Sequence, residues 1–256
     1  MRVAATYFPA RLSSHGKHNG RGLAIGTTLI REKIENSIAT LEAAVPSSLD
    51  RASAISKLRR DVAELRKKRP RSIRELLGVE GRAAAAYFSA WQGVPIHWKG
   101  IGRRPIPQTW HHIEPRSTAA KRTAINRNAS HPVNAILNYA YAVLEGHVRM
   151  HVVAEGYDLN IGYLHASTER RPAALVFDLM EPLRPIVDRS VLQFVQSHTF
   201  HPTDFTIRSD GVCRLNPEMA RHVVRLATTK IATVSLDTLK LRMGDGVRIR
   251  LVRSGR

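Results

Sequence analysis

The sequence predicts a mainly α-helical protein with few strands. Apolar residues recur every three or four positions along several segments, which is the spacing of one helix face. Proline or glycine stands near the end of most of these segments, and few stretches alternate as a half-buried strand does. Hydrophobic residues make up 43% of the 256 residues, which is enough for a folded core. We therefore expect a multi-helix domain.

Two amphipathic helices are expected near the start of the chain, over residues 22–44 and 49–69. In each segment the apolar residues fall on one helical stripe, and Pro46 and Pro70 end the pattern. The short connection between the two segments predicts an antiparallel hairpin. The outer face of its second helix is rich in arginine and lysine, which suits contact with phosphate groups.

The following segments combine a helical pattern with an irregular one. Residues 72–91 are expected to be helical, with a break around Gly78–Gly81 because glycine weakens a helix. Residues 92–128 are rich in proline, glycine and bulky aromatic residues and show little periodicity. This composition predicts an irregular loop.

Regular structure is expected to resume after Ser130 or His131, either of which could cap a long helix over residues 132–155. Shorter helices are expected near residues 187–198 and 216–229. The C-terminal end is basic and shows some strand-like alternation.

The composition favours a polyanionic partner. The chain contains 40 Lys and Arg against 21 Asp and Glu, a formal net charge of +19. Nucleic acid is the first candidate and an anionic membrane surface the second. No apolar run approaches the roughly 20 residues that span a bilayer, and the N-terminus lacks the apolar core of a signal peptide. With one cysteine, Cys213, no disulfide framework is possible, and a cytoplasmic protein is expected.

One face of the long helix at residues 132–155 carries a polar stripe. Asn134, Asn138, Tyr141 and Glu145 follow one another at helical spacing, opposite an apolar stripe that would face the core. Two interpretations remain open: a polar cleft, or a partly buried hydrogen-bonded network. The helix taken by itself favours the network.

Further along, His165 lies at the edge of an apolar segment, and the stretch "FDLMEPLRPIVD" places Asp178 and Glu181 three residues apart. On one turn of helix both carboxylates could point the same way. The alternative is helix capping, with Asp178 as N-cap and Glu181 at the third helical position. A further possibility is that Pro182 begins a helix with Glu181 as its cap.

Taken together, Glu145, His165, Asp178 and Glu181 offer carboxylate oxygens and one imidazole. This set of donors suits Mg²⁺ or Mn²⁺. In a protein so rich in basic residues, the chemistry that such an ion would serve is phosphodiester cleavage or transfer.

Four segments, in this order, resemble a known family: "LLGVEGRAAAAYFSAW", "HPVNAILNYAYAVLEGHV", "IGYLHAS" and "LVFDLMEPLRPIVDRSV". The family is the CRISPR-associated integrase-nuclease of spacer acquisition, the universal first subunit of the adaptation complex. The resemblance implies its multi-helix catalytic domain and a metal-dependent attack of a 3′-hydroxyl on a phosphodiester, or cleavage of branched DNA. It also implies Glu145, His165 and Glu181 as metal ligands, with Asp178 in support.

The resemblance also implies partners and a domain organisation. DNA, a second copy of the chain and a small ferredoxin-like adaptation subunit are the expected partners. Residues 1–71 would form a helical arm, 72–235 the catalytic domain and 236–256 a basic tail. Family members carry an N-terminal β domain that mediates dimerisation, and residues 1–20 offer no such sheet, so we expect this domain to be absent.

Three functional hypotheses follow. The first is the metal-dependent nuclease-integrase, and the others are a catalytically silent DNA-binding homologue and an integrase of a mobile element. All three use a basic surface. The side chains expected to contact DNA are Arg66, Lys67, Arg103, Arg104 and Arg184.

Overall fold

The computed structural model describes residues 20–114, 129–165 and 173–233, and it confirms a mainly helical protein. The α-helices of these residues are α1 (Gly20–Ala44), α2 (Leu49–Lys67), α3 (Ile73–Ser89), α4 (Pro132–Ala154), α5 (Ala174–Met180), α6 (Arg184–Ser197) and α7 (Pro217–Ala232). The strands are β1 (His97–Trp98), β2 (Thr199–Phe200), β3 (Phe205–Ile207) and β4 (Cys213–Leu215), with 3₁₀ turns at Gln108–His111 and Pro202–Asp204.

Helix α1 is central to the first half of the structure. It packs against α2, α3 and α6, and buries Leu29, Ile34 and Leu41 between them. The Ser48 hydroxyl accepts a hydrogen bond from the backbone N–H of Arg51 and caps α2. The expected helix pair is confirmed, because α1 and α2 are joined by a short connection and pack against each other, and α3 packs against both.

The expected break in α3 is wrong, because this helix is continuous. Gly78 and Gly81 both lie where an added Cβ would meet no other atom, so neither marks a close contact or a bend. The apolar face, which buries Leu76 and Tyr87, holds the helix together despite the helix-weakening glycines. Packing against the core thus outweighs local propensity.

Helix α4 organises the second half and packs against α5, α6 and α7. Of the two caps considered, His131 is the observed one. Its Nδ1 accepts from the backbone N–H of Val133, and Pro132 occupies the first turn.

The short helix α5 was not predicted from the sequence. All of its residues but one are buried, so its apolar residues show no helical periodicity. Both capping hypotheses are wrong. Asp178 lies inside α5, Glu181 follows the end of α5 as its C-cap residue, and α6 begins later, with Leu183 as its N-cap. Neither residue is therefore the N-cap of a helix, which is the role that both hypotheses required.

The region expected to be an irregular loop contains only short regular pieces between residues 92 and 114. Strand β1 pairs in parallel with β2, and β3 pairs antiparallel with β4. The indole rings of Trp98 and Trp110 stack at 5.8 Å, and Phe200 and Phe205 pack around Trp98. This aromatic cluster fixes the loop to the body of the protein.

Among the described residues, no helix has the length and apolar character needed to cross a membrane. The expectations about an N-terminal sheet and a basic tail at 236–256 concern parts of the chain outside the described residues.

Candidate active site

A polar cleft of about 280 Å³ opens between α1, α3, α4 and α6. Its apolar walls come from the core sides of these helices, while charged groups converge at one end. The charged or titratable side chains that line it are Lys33, Glu80, Tyr87, Tyr141, His165, Glu181, Arg184 and Asp188. The cleft thus gathers groups from segments that are far apart in the sequence.

Asp178 is the most buried carboxylate of this region, with no exposed surface. Its Oδ2 accepts from the backbone N–H groups of Tyr163 and Leu164, the latter at 3.0 Å. Its Oδ1 accepts from the backbone N–H of His165 at 3.0 Å and lies 2.6 Å from Nδ1 of the same residue. One side chain therefore fixes both the loop and the orientation of the imidazole.

This geometry determines which ring nitrogen of His165 is available. Because an ionised carboxylate only accepts hydrogen bonds, Nδ1 must donate to Asp178, and the lone pair of the neutral ring is then on Nε2. The hydrogen bond to Asp178 raises the pKa of His165, against the opposing effect of burial. A carboxylate–histidine pair of this kind is a common way to orient a metal-ligating imidazole.

The backbone around this pair is tightly constrained. Ala173, which precedes α5, has a φ of 74°, a left-handed conformation that is costly for a residue other than glycine. A Cβ added to Gly162 would lie 2.8 Å from the carbonyl oxygen of His165 and 2.9 Å from Asp178 Oδ2. The loop therefore approaches α5 more closely than any side chain at position 162 would permit.

Glu181 lies at the cleft end of α5 and is 6% exposed. Lys33 Nζ is 2.6 Å from its Oε2, and Arg184 Nε is 3.4 Å from its Oε1. Burial raises the pKa of Glu181, but the charges of Lys33 and Arg184 outweigh that effect and the net shift is downward. The carboxylate is therefore held ionised in a buried position.

Glu80 is a site residue that the sequence analysis missed. It projects from α3 into the cleft, and Lys33 Nζ donates to its Oε1, so one ammonium bridges the Glu80 and Glu181 carboxylates. A signal was present in the sequence. Leu76, Glu80, Ala83 and Tyr87 share one helical stripe, so Glu80 is a carboxylate on an otherwise largely apolar face.

Glu145 is not among the side chains that line this cleft. Its Oε1 accepts from Arg149 at 2.9 Å, one turn along α4, and it does not line the cleft. The polar stripe of α4 is divided: Asn134 and Tyr141 are buried, whereas Glu145 turns toward the partly exposed side. Of the two glutamates, Glu80 is the one that lines the cleft.

A buried tyrosine–carboxylate group supports the floor of the cleft. Asp188 Oδ1 accepts from the hydroxyl of Tyr141 at 2.5 Å, and its Oδ2 accepts from Tyr87 at 3.1 Å. The Arg184 guanidinium lies 5.1 Å from the centre of the Tyr141 ring. Arg184, expected to contact DNA, is thus positioned within the cleft by both Tyr141 and Glu181.

The other basic residues expected to contact DNA are on the surface. Arg66 and Lys67 are exposed on the last turn of α2, where Arg66 also pairs with Glu35 at 2.8 Å. Arg103 and Arg104 are exposed in the loop that follows β1. Their exposure leaves them available to phosphate groups.

The donors of the cleft suit a hard divalent cation. Across residues 20–114, 129–165 and 173–233, no three acidic, histidine or cysteine side chains are already close enough to hold an ion. However, Glu80 and Glu181 bracket one cation, the Lys33 ammonium, and His165 lines the same cleft with Nδ1 held by Asp178. Carboxylate oxygens and an imidazole fit Mg²⁺ or Mn²⁺ in chemistry.

Comparison with known proteins identifies close similarities. The family described as CRISPR associated protein Cas1 matches residues 11–228. The CRISPR-associated endonuclease Cas1 1 of Methanospirillum hungatei is 32% identical over 162 residues, which cover 62% of this chain and 42% of that protein. The corresponding protein of Thermus thermophilus is 31% identical over 266 aligned positions, covering 98% of this chain and 71% of that protein. The chain thus spans less than half the length of the first relative.

Two solved structures share the fold. A casposase bound to integration product superposes with a TM-score of 0.63 at 25% identity, over 84% of this chain and 57% of the casposase. A Cas6-RT-Cas1–Cas2 complex contains a chain that superposes with a TM-score of 0.65 at 21% identity, over 87% of this chain and 22% of the other. Both comparisons extend over most of the described helices.

Proposed function

The chain belongs to the CRISPR-associated Cas1 family, and we propose that it is a metal-dependent DNA endonuclease and integrase that acts in spacer acquisition. The relatives reported above are named as Cas1 endonucleases, and the casposase was solved with an integration product. The reaction proposed for this chain is attack of a DNA 3′-hydroxyl on a phosphodiester of the target, or cleavage of branched DNA.

The observation that carries the proposal is the convergence of Glu80, His165 and Glu181 on one cleft. The carboxylates of Glu80 and Glu181 hold the ammonium of Lys33 between them. The imidazole of His165 is fixed through Nδ1 by Asp178, which leaves Nε2 for another contact. We propose these three side chains as the metal ligands, with Glu80 in the role that the sequence assigned to Glu145. A bound Mg²⁺ or Mn²⁺ would stabilise the charge that develops on the attacking and leaving oxygens.

The remaining cleft residues act on the ligands and on DNA. Asp178 keeps the proton on Nδ1 of His165, so that Nε2 stays available as a ligand. Arg184 neutralises one oxygen of Glu181 and is held in the cleft by Tyr141, where it can also meet a phosphate. No nucleotide cofactor is required, because transesterification exchanges one phosphodiester for another.

The proposed partners are DNA, a second copy of the chain and a small ferredoxin-like adaptation subunit. The charge of +19 supports DNA binding through phosphate neutralisation. The exposed Arg66, Lys67, Arg103 and Arg104 are the proposed surface contacts. The Cas6-RT-Cas1–Cas2 complex supports an assembly with a Cas2-like subunit.

Strand transfer into a forked, repeat-containing duplex with Mn²⁺ tests the function. Wild type should join a 3′-hydroxyl end to the target, and chelation of the metal should stop the reaction. His165→Ala and Glu181→Ala should abolish product, whereas His151→Ala, at a partly exposed histidine of α4, should retain it. Product formation by both cleft variants at the wild-type rate would refute the proposed site. Steady DNA binding by wild type without any product would instead identify a catalytically silent homologue.

A second candidate is an integrase of a mobile element, which the similarity to the casposase favours. The same assay separates the two. An integrase of a CRISPR array should prefer a target that contains the repeat. An integrase of a mobile element should show no preference for such a target.

A further inference from the structure

Lys33 occupies the centre of the acidic site. It projects from α1, and its ammonium contacts Glu80 of α3 and Glu181 at the end of α5, the latter at 2.6 Å. The side chain of Lys33 is 16% exposed, so these contacts are sheltered from water. One ammonium therefore joins three separate helices at the two carboxylates proposed as metal ligands.

The two carboxylates need a cation between them. Like charges that share a buried site repel each other, and a buried carboxylate without a partner is strongly unfavourable. Arg184 approaches only Oε1 of Glu181, at 3.4 Å, while Lys33 contacts Oε2 of Glu181 and Oε1 of Glu80. Lys33 is thus the group that directly contacts both carboxylates at once.

A divalent ion would compete for the same oxygens. Mg²⁺ and Mn²⁺ bind carboxylate oxygens directly, at distances that leave no room for an ammonium between the same two groups. The side chain of lysine has four flexible methylene groups, so its ammonium can leave without a change in the backbone of α1. The charges of Glu80 and Glu181 then remain balanced in either arrangement.

We propose that Lys33 is an internal counter-cation, which holds Glu80 and Glu181 in place and which a divalent ion displaces when it binds. This inference rests on the proposed function, because it takes Glu80 and Glu181 as metal ligands. Lys33 is a positioning residue in this arrangement: it sets how tightly the site binds metal and keeps the two ligands together before the metal arrives.

Reactivity of the lysine side chains in the wild-type protein tests the displacement. Labelling with an amine-reactive ester, followed by mass spectrometry, should show slow modification of Lys33 and fast modification of Lys57, which is exposed on α2. Saturating Mn²⁺ should speed the labelling of Lys33 by roughly tenfold, as expected when a protected group becomes accessible, and should leave Lys57 unchanged. An unchanged rate at Lys33 in protein with bound Mn²⁺ would overturn the proposal.

Titration of Mn²⁺ by calorimetry tests the competition. The folded Lys33→Met variant should bind Mn²⁺ roughly tenfold more tightly than wild type, because no buried charge pair has to be broken. Lys57→Met should bind as wild type does. Lys33→Gln, which keeps polarity and loses the charge, provides the same comparison if the Met variant does not fold. Unchanged or weaker binding by the folded neutral variant would contradict the inference.

The controls separate this inference from the proposed function. Loss of Mn²⁺ binding in Glu80→Gln and Glu181→Gln, together with unchanged binding in Lys33→Met, would retain the metal site and reject only the role of Lys33. Absence of Mn²⁺ binding by the wild-type protein would overturn the metal site and, with it, the inference.

Discussion

The replacement of Asp178 by asparagine should change the chemical state of His165 without changing the shape of the site. The carboxylate accepts from three backbone N–H groups and contacts Nδ1 of His165, and asparagine has a single oxygen to offer. If that oxygen stays with Tyr163 and Leu164, the amide NH₂ faces His165. Nδ1 must then accept a hydrogen bond, and the ring proton moves to Nε2.

The cost of this change follows from the contacts. The backbone N–H of His165 loses its acceptor, which costs about 1–3 kcal/mol for a buried donor. The bonds that remain lose the charge of the acceptor, which adds about 1 kcal/mol. Asp178→Asn should therefore lower the free energy of unfolding by about 2–4 kcal/mol, and it should also weaken Mn²⁺ binding because Nε2 no longer offers a lone pair.

Urea unfolding and NMR of the His165 ring measure both effects. The hydrogen bond to Asp178 raises the pKa of His165, so the pair stabilises the fold most below the unfolded pKa of about 6.5 and loses this contribution as pH rises. The difference in unfolding free energy between wild type and Asp178→Asn should thus be larger at pH 5 than at pH 8. Asp158→Asn, which changes the acceptor for the backbone N–H of Asn160, is the matched control. A variant with wild-type stability and the proton still on Nδ1 would refute the reasoning.

Three other substitutions test neighbouring parts of the structure. Burial raises the pKa of Glu32 to about 7, so the wild-type protein should lose stability as pH rises from about 4.5 to 7. Glu32→Gln should remove this loss and raise the free energy of unfolding by about 1–2 kcal/mol at pH 8 after solvent screening, whereas Glu35→Gln should not. Curves of unfolding free energy against pH that run parallel for wild type and Glu32→Gln would refute this prediction. Gly162→Ala should lower the free energy of unfolding by about 2 kcal/mol or more, because the added methyl group would overlap Asp178. Gly146→Ala, on the open surface of α4, should raise it by about 0.5–1 kcal/mol. Equal urea denaturation midpoints for the two variants would contradict this prediction. Asp188→Asn should leave the hydroxyl of either Tyr87 or Tyr141 poorly paired, and should lower the free energy of unfolding in urea by about 1–3 kcal/mol. An unchanged free energy of unfolding would show that both hydroxyls find other acceptors.

The helices that the sequence predicted well are those with one apolar face and clear end signals. Pro46 and Pro70 mark the ends of α1 and α2, and Pro132 marks the start of α4, because each acts through local backbone geometry. Helix α5 was missed because burial on nearly all sides removes the periodicity on which the prediction depends. The break predicted in α3 was wrong because local propensity takes no account of packing.

The site was predictable where its residues are close in sequence. Asp178 and Glu181 share one turn of chain, and their nearness to His165 follows from a loop of limited length. Glu80 and Lys33 come from helices far upstream, and only the packing of α1 and α3 brings them to Glu181. Sequence spacing does not predict that contact, so the ion pairs of Lys33 with Glu80 and Glu181 could be found only from the structure.

The most direct test compares Glu80→Gln with Glu145→Gln in Mn²⁺-dependent strand transfer on a forked duplex. Both substitutions remove one charge from a helix, but only Glu80 lies in the cleft with His165 and Glu181. Glu80→Gln should lower the rate at least about a hundredfold, as expected for loss of a metal ligand, while Glu145→Gln should stay within about threefold of wild type. A strong loss in Glu145→Gln with normal activity in Glu80→Gln would contradict the assignment of the site.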